Sequence, residues 1–156
     1  MLIAKRNSIR REEFEFFNNG EFCGTIALNP TRGGDATLTS GIDAFRLTSE
    51  LRMLETRYTM IPVSLDGGTL PPVATASGAA FGNYTITFGE RQFTLANTGL
   101  LSSQFQLSEG YKVLGSIQPK GWSSNKWEID EAINLELPLL QFVFWLAEIS
   151  AEREDS

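Results

Sequence analysis

The chain has 156 residues, 42% of them hydrophobic and 21% charged, which suits one soluble domain with enough apolar material for a proper core. Its formal net charge of −6 speaks against general nucleic-acid binding, because phosphate contacts need a concentrated positive surface. With no histidine and a single cysteine, Cys23, the chain has no imidazole triad, no Cys-His pair, no histidine or cysteine zinc site and no intrachain disulfide.

In chain order, MLIAKRNSIRREE reads as a charged N-terminal arm over residues 1–13, with Lys5, Arg6, Arg10 and Arg11 crowded into seven positions. It lacks the apolar centre of a signal peptide, and together with the lone cysteine this gives the expectation of a cytoplasmic protein. From residue 14 to 117 the signals are those of short strands. EFEFF, FCGTIAL, AFRLTS, RYTMIPVSL, VATASGAA, YTITFG, QFTLAN, SQFQLS and KVLGSI are rich in aromatic and β-branched residues and several alternate cleanly. Turn residues separate them: NNGE, NPTRGGD, DGGTLPP, FGER, ANTG, SEG and QPKG. Residues 46–58 fit either strand or a helical turn. Residues 127–135 read as one last strand.

The period then changes. PLLQFVFWLAEIS over 138–150 begins with a proline where a helix accepts one, and its apolar residues cover every side of a helical wheel. Such a helix must be surrounded by protein. The apolar run is about half the roughly 20 residues a bilayer span needs, so it reads as a buried segment and not as an anchor. A polar tail, 151–156, follows.

The strand region carries an internal repeat. FEFFNNGEFCGTI (14–26) and FQLSEGYKVLGSI (105–117) share the order Phe, apolar residue, turn and Gly-Thr/Ser-Ile, with Phe14 to Gly24 matching Phe105 to Gly115. A long meander has exposed edges unless it closes, and a barrel of more than about eight strands is too wide for its own side chains to fill. Thirteen helical residues span ~20 Å, close to a strand's length. The expected fold is therefore mainly β with one helix: a closed antiparallel barrel around a buried hydrophobic C-terminal helix, with Gly24 and Gly115 at equivalent bulges or bends.

The recurring F-x-[FL]…G-[ST]-I strands, a tryptophan before the end and the terminal LPLLQFVFWL helix resemble the tubby C-terminal-like superfamily, over about residues 14–150. That group includes tubby-like proteins, phospholipid scramblases, LURP-one-related proteins and small bacterial members. The resemblance implies about twelve strands around the central helix 138–150. It also implies a lipid-facing role, since tubby proteins bind phosphoinositides through basic barrel residues. No individual lysine carries over by motif, and the clustered cysteines and calcium segment of scramblases have no counterpart here.

Few residues suggest catalysis. The acid pairs Glu12–Glu13 and Asp130–Glu131 are sequence neighbours, and neighbours on a strand point to opposite faces. Neither RGGD nor DGGT has phosphate-loop spacing, so both read as turns. Cys23 reads as a small core residue. The candidate ligand-binding residues are Lys120, Trp122 and Lys126 in PKGWSSNKW (119–127), where lysine beside amphipathic tryptophan suits a membrane interface or a phosphate-bearing ligand; Trp127 is assigned to the core. The expectation is a non-catalytic module without cofactor or metal, binding anionic phospholipid head groups or a protein partner, cytoplasmic or peripheral at a membrane. A pure protein-interaction scaffold is the alternative, and a carboxylate enzyme the least favoured class.

Overall fold

Twelve strands and one helix make up the computed structural model, which describes residues 1–29, 35–78, 83–99, 104–121 and 125–154. The strands are β1 (Leu2–Arg6), β2 (Glu13–Asn18), β3 (Glu21–Leu28), β4 (Ala36–Ser40), β5 (Asp43–Arg52), β6 (Glu55–Pro62), β7 (Ala74–Gly78), β8 (Tyr84–Phe88), β9 (Arg91–Asn97), β10 (Phe105–Glu109), β11 (Lys112–Pro119) and β12 (Lys126–Ile129); the helix α1 is Leu137–Glu154. Each strand pairs antiparallel with its sequence neighbours, and β1 pairs with β12 to close the barrel. The closed barrel with one C-terminal helix is the fold the sequence implied.

Period-two alternation builds the wall. Along β8, Tyr84 and Ile86 are buried while Thr85 and Thr87 are exposed; along β2, Phe14 and Phe16 point in. Where the sequence offered strand or helix for 46–58, the chain forms the end of β5, a two-residue turn and the start of β6. Two strands were not legible. Leu2–Arg6, read as part of a solvated arm, is β1, with Leu2 and Ala4 facing inward. Ala36–Ser40, ATLTS, is β4. The last strand is also shorter than 127–135, ending at Ile129, and α1 extends beyond 138–150 at both ends.

The repeat is structural. In the first hairpin Phe14 pairs with Ile26 and Phe16 with Gly24, then the register slips so that Phe17 faces Phe22. In the second, Phe105 pairs with Ile117 and Leu107 with Gly115, then Ser108 faces Val113. Cys23 and Leu114 are thus the extra residues of matching bulges, each directly before the glycine. The turns use different chemistry to the same end. Asn19 (φ 52°) and Gly20 (φ 87°) both take positive φ, as a type I′ turn requires, whereas Gly110 (φ 62°) puts glycine at the first turn position, as in type II′.

Inside the barrel α1 is buried on every side: Leu139, Leu140, Phe142, Val143, Phe144, Trp145, Leu146 and Ala147 all belong to the core. The helix does not run down the centre. It lies nearest β4, two of whose three inward residues, Ala36 and Ser40 beside Leu38, are small, and next to Gly24 on β3. A Cβ on Gly24 would collide with the Thr39 carbonyl oxygen and sit 2.8 Å from Gln141 Nε2. Large rings fill the rest of the interior. Phe144 packs edge-on against Phe14, Phe16 and Trp127 at 5.0, 5.2 and 5.4 Å, and Trp145 meets Tyr58 at 5.6 Å. Aromatic pairs in this geometry add about 0.5–1.5 kcal/mol each beyond their burial.

Antiparallel order gives the barrel two unlike ends. The first turn of α1 enters at one end, beside the β2–β3, β4–β5, β6–β7, β8–β9 and β10–β11 connections. Its last turns leave at the other, where among the described residues the β1–β2 and β5–β6 connections lie. At this far end Arg6 meets Glu148 and Glu152.

Candidate functional site

Since α1 fills the barrel, surface chemistry must be sought on the outer wall and at the two ends. Barrel closure brings together the two basic stretches that lie more than a hundred residues apart in sequence. Lys5 on β1 stands directly opposite Lys126 on β12, both on the outward face. Lys120 is tied to the same place, its backbone N–H donating to the Lys126 carbonyl at 2.7 Å. Trp122 lies outside the described residues. Trp127 is in the core, tilted against Phe105 and edge-on to Phe144.

Acids thread this basic patch. Lys120 Nζ is 2.7 Å from Glu128 Oε1, and Glu15 is the cross-strand partner of Lys5 on its other side. Arg10 approaches Glu13 at 3.8 Å, while Arg11 is exposed. Exposed pairs of this kind contribute about 0–1 kcal/mol and exchange readily with solvent or another anion. Lys5 also lies 5.5 Å above the Phe17 ring.

Arg6 is not part of the outward patch. Its guanidinium lies over the Phe14 ring at 4.5 Å, donates to the Arg11 carbonyl, and reaches Glu148 Oε1 at 3.3 Å and Glu152 Oε1 at 3.4 Å. Glu148 is only 2% exposed. Burial, then the adjacent Glu152 carboxylate, pushes its pKa up to about 8 against the opposing pull of Arg6. At neutral pH Glu148 therefore holds a proton and shares it with Glu152, and Arg6 balances the one remaining negative charge. This i, i+4 acid pair is the convergence of carboxylates that the sequence pairs Glu12–Glu13 and Asp130–Glu131 do not provide. Its signal was helical spacing within AEISAERE, at a helix end that read as merely polar.

Other polar groups give little chemistry. Gln141 Nε2 donates to the Thr39 and Thr25 carbonyls at 3.0 and 3.4 Å, in the space Gly24 leaves open. The Cys23 thiol, on its bulge, donates to the Phe16 carbonyl at 3.4 Å, and burial raises its pKa, so it is held as a thiol. Among the described residues no three His, Cys, Asp or Glu side chains come together as a metal group. No helix among them is long and apolar enough to cross a membrane. At the entry end a cleft of about 350 Å³ is lined by Asn18, Asn19, Asp130, Glu131, Asn134 and neighbouring apolar residues. No family model, no curated protein and no solved structure matches the chain.

Proposed function

We propose that this chain is a non-catalytic binding module of the tubby-like kind, acting in the cytoplasm at a membrane surface and contacting anionic phospholipid head groups through Lys5, Lys120 and Lys126, with Trp122 of the same sequence stretch. One observation carries the reading: Lys5 and Lys126 are cross-strand partners. Like charges placed directly opposite one another weaken a sheet, and an anion bridging them would reverse that cost. The interior supports the same view, since among the described residues it is occupied by the buried side chains of α1. Against an enzyme stands the seclusion of Glu148, whose carboxyl is nearly closed to solvent. A protein-interaction scaffold is the second reading, favoured by the acids interleaved with the lysines.

Vesicle sedimentation separates the two. The wild type is expected to sediment with phosphatidylserine-containing vesicles at low salt and to be released at high salt, because exposed charge contacts are screened. Lys120→Glu with Lys126→Glu reverses two charges, each worth roughly 1 kcal/mol near an anionic surface, and is expected to abolish binding with an unchanged circular dichroism spectrum. Salt-insensitive behaviour of the wild type, or full binding by the double variant, would leave the scaffold reading.

A further inference from the structure

At the entry end the β6–β7 connection, residues 63–73, is long, and its hydrogen bonds to the barrel lie at its roots. The Val63 N–H donates to the Ala44 carbonyl at 3.0 Å and the Val73 N–H to the Met60 carbonyl at 2.9 Å. Between these ties the chain bonds to itself. The Gly67 N–H donates to the Ser64 carbonyl and the Asp66 N–H to the Ser64 hydroxyl, both at 3.2 Å, with Gly67 at a positive φ of 74° that glycine adopts without strain. Compact loops whose ends meet are frequent seats of function.

A groove of about 280 Å³ opens between this loop and the outer wall. Arg46 and Ile61, cross-strand partners on β5 and β6, form one side; Ser64, Thr69 and Leu70 belong to the other. Arg46 is the one charged residue in the lining, and among the described residues its guanidinium makes no ion pair and no hydrogen bond. Its neighbours on the outward face supply no acid: Thr37 and Ile61 stand opposite it, and Ala44 and Thr48 lie two places along β5. Asp35, just before β4, accepts from the Ser49 N–H at 3.2 Å, while Asp43 and Asp66 neither line the groove nor pair with Arg46.

The polar groups here are donors. The Ser64 oxygen is taken by the Asp66 N–H, so its hydroxyl proton is free to give, and the Gly68 and Thr69 N–H groups meet no protein acceptor. The rest of the lining is aliphatic, with Val63 and Leu70 55% and 40% exposed. A guanidinium fork matches one carboxylate. A doubly charged phosphate calls for more than one cation, and an anion without a tail would leave the aliphatic side wet. The volume lies at the small end of ligand sites.

We propose that the groove between the β5–β6 wall and the 63–73 loop binds a short-chain aliphatic carboxylate. Arg46 holds its head with the Ser64 and Thr69 hydroxyls, and its tail lies against Ile61, Val63 and Leu70. The site is five strands round the wall from the β1–β12 seam and does not depend on the lipid reading.

Amide NMR spectra of the full chain titrated with sodium hexanoate provide the test. Saturable shifts are expected at Gly67, Gly68, Thr69 and Leu70. Acetate, which buries no tail, is expected to bind about tenfold or more weakly, and so is uncharged hexanamide. Arg46→Gln is expected to weaken hexanoate about tenfold or more, with Arg46→Lys in between, and Leu70→Asp to abolish binding. Both side chains are exposed, so the circular dichroism spectrum is expected to stay unchanged. Hexanoate shifts that never saturate, or that map elsewhere on the barrel, would overturn the site. Hexanamide binding as tightly as hexanoate, or full binding by Arg46→Gln, would overturn the carboxylate head. Acetate or inorganic phosphate binding as tightly as hexanoate would make this a general anion site and overturn the choice of ligand.

Discussion

Replacing Glu148 with glutamine isolates the proton held at the far end. In the folded protein its pKa is pushed up to about 8, against an ordinary value of 4.5. A raised folded-state pKa gives stability that is fully present below the unfolded value and is lost as pH rises through the folded one. Wild-type stability from this source is therefore complete below about pH 4.5 and disappears through about pH 8. If Glu148 titrated alone the loss would be about 5 kcal/mol; sharing the proton with Glu152 reduces it, so about 3–5 kcal/mol is expected. Glutamine keeps the size and hydrogen-bonding capacity, cannot ionise, and leaves Arg6 paired with Glu152 at 3.4 Å. Urea denaturation of both proteins from about pH 5 to about pH 9 gives the comparison. The two are expected to agree within about 1 kcal/mol at the acid end, with Glu148→Gln more stable at the alkaline end. Parallel curves across that range would refute the buried shared proton, as would a wild type that gains on the variant with rising pH.

Trp145→Ala removes the ring that α1 sets against Tyr58 and Phe142 and is expected to cost about 3–5 kcal/mol, read as a lower denaturation midpoint or a chain that does not fold. Gly24→Ala and Gly115→Ala are both expected to destabilise, by about 1–3 kcal/mol, with Gly24 the worse. The new methyl at 24 meets a backbone carbonyl, whereas the one at 115 meets side-chain atoms, Ile133 Cγ1 at 2.6 Å and Asp130 Cβ at 3.0 Å, which sit in the segment after β12 rather than in a paired strand. A larger loss at 115, measured by the same unfolding experiment, would contradict the close approach of α1 to β3.

Much of the wall was legible because inward aromatic and branched residues alternate with polar ones, as in YTITF and FEF. The two strands that escaped notice did so for physical reasons. β1 places its two apolar inward residues before Lys5 and Arg6, so the charge pattern of the following loop masked the strand. β4 faces the helix with Ala36, Leu38 and Ser40, and with two of these three small where α1 lies closest, a single leucine between threonines gives little of the hydrophobic signal that marks the other strands. The terminal helix was visible from its all-round apolarity, but its last turns carry Glu148 and Glu152, whose role depends on Arg6 coming from the opposite end of the chain. The lysine stretch at 119–127 was legible by itself. Its union with Lys5 was not, since it depends on the register in which β12 meets β1.

That closing seam also dictates the order in which the molecule can be made. The first strand finds its second partner only in the twelfth, and the barrel must enclose a helix that follows all of them in sequence. Until residues 137–154 have been synthesised, the inward rings on β2, β6, β8, β9 and β10 have no helix to cover them. Hairpins such as 14–26 and 105–117 can form locally, but the seam joins residues more than a hundred positions apart and carries the high loop-closure cost of distant pairings. Any sheet formed before that point has two unpaired edges and an uncovered apolar face, the features that favour aggregation.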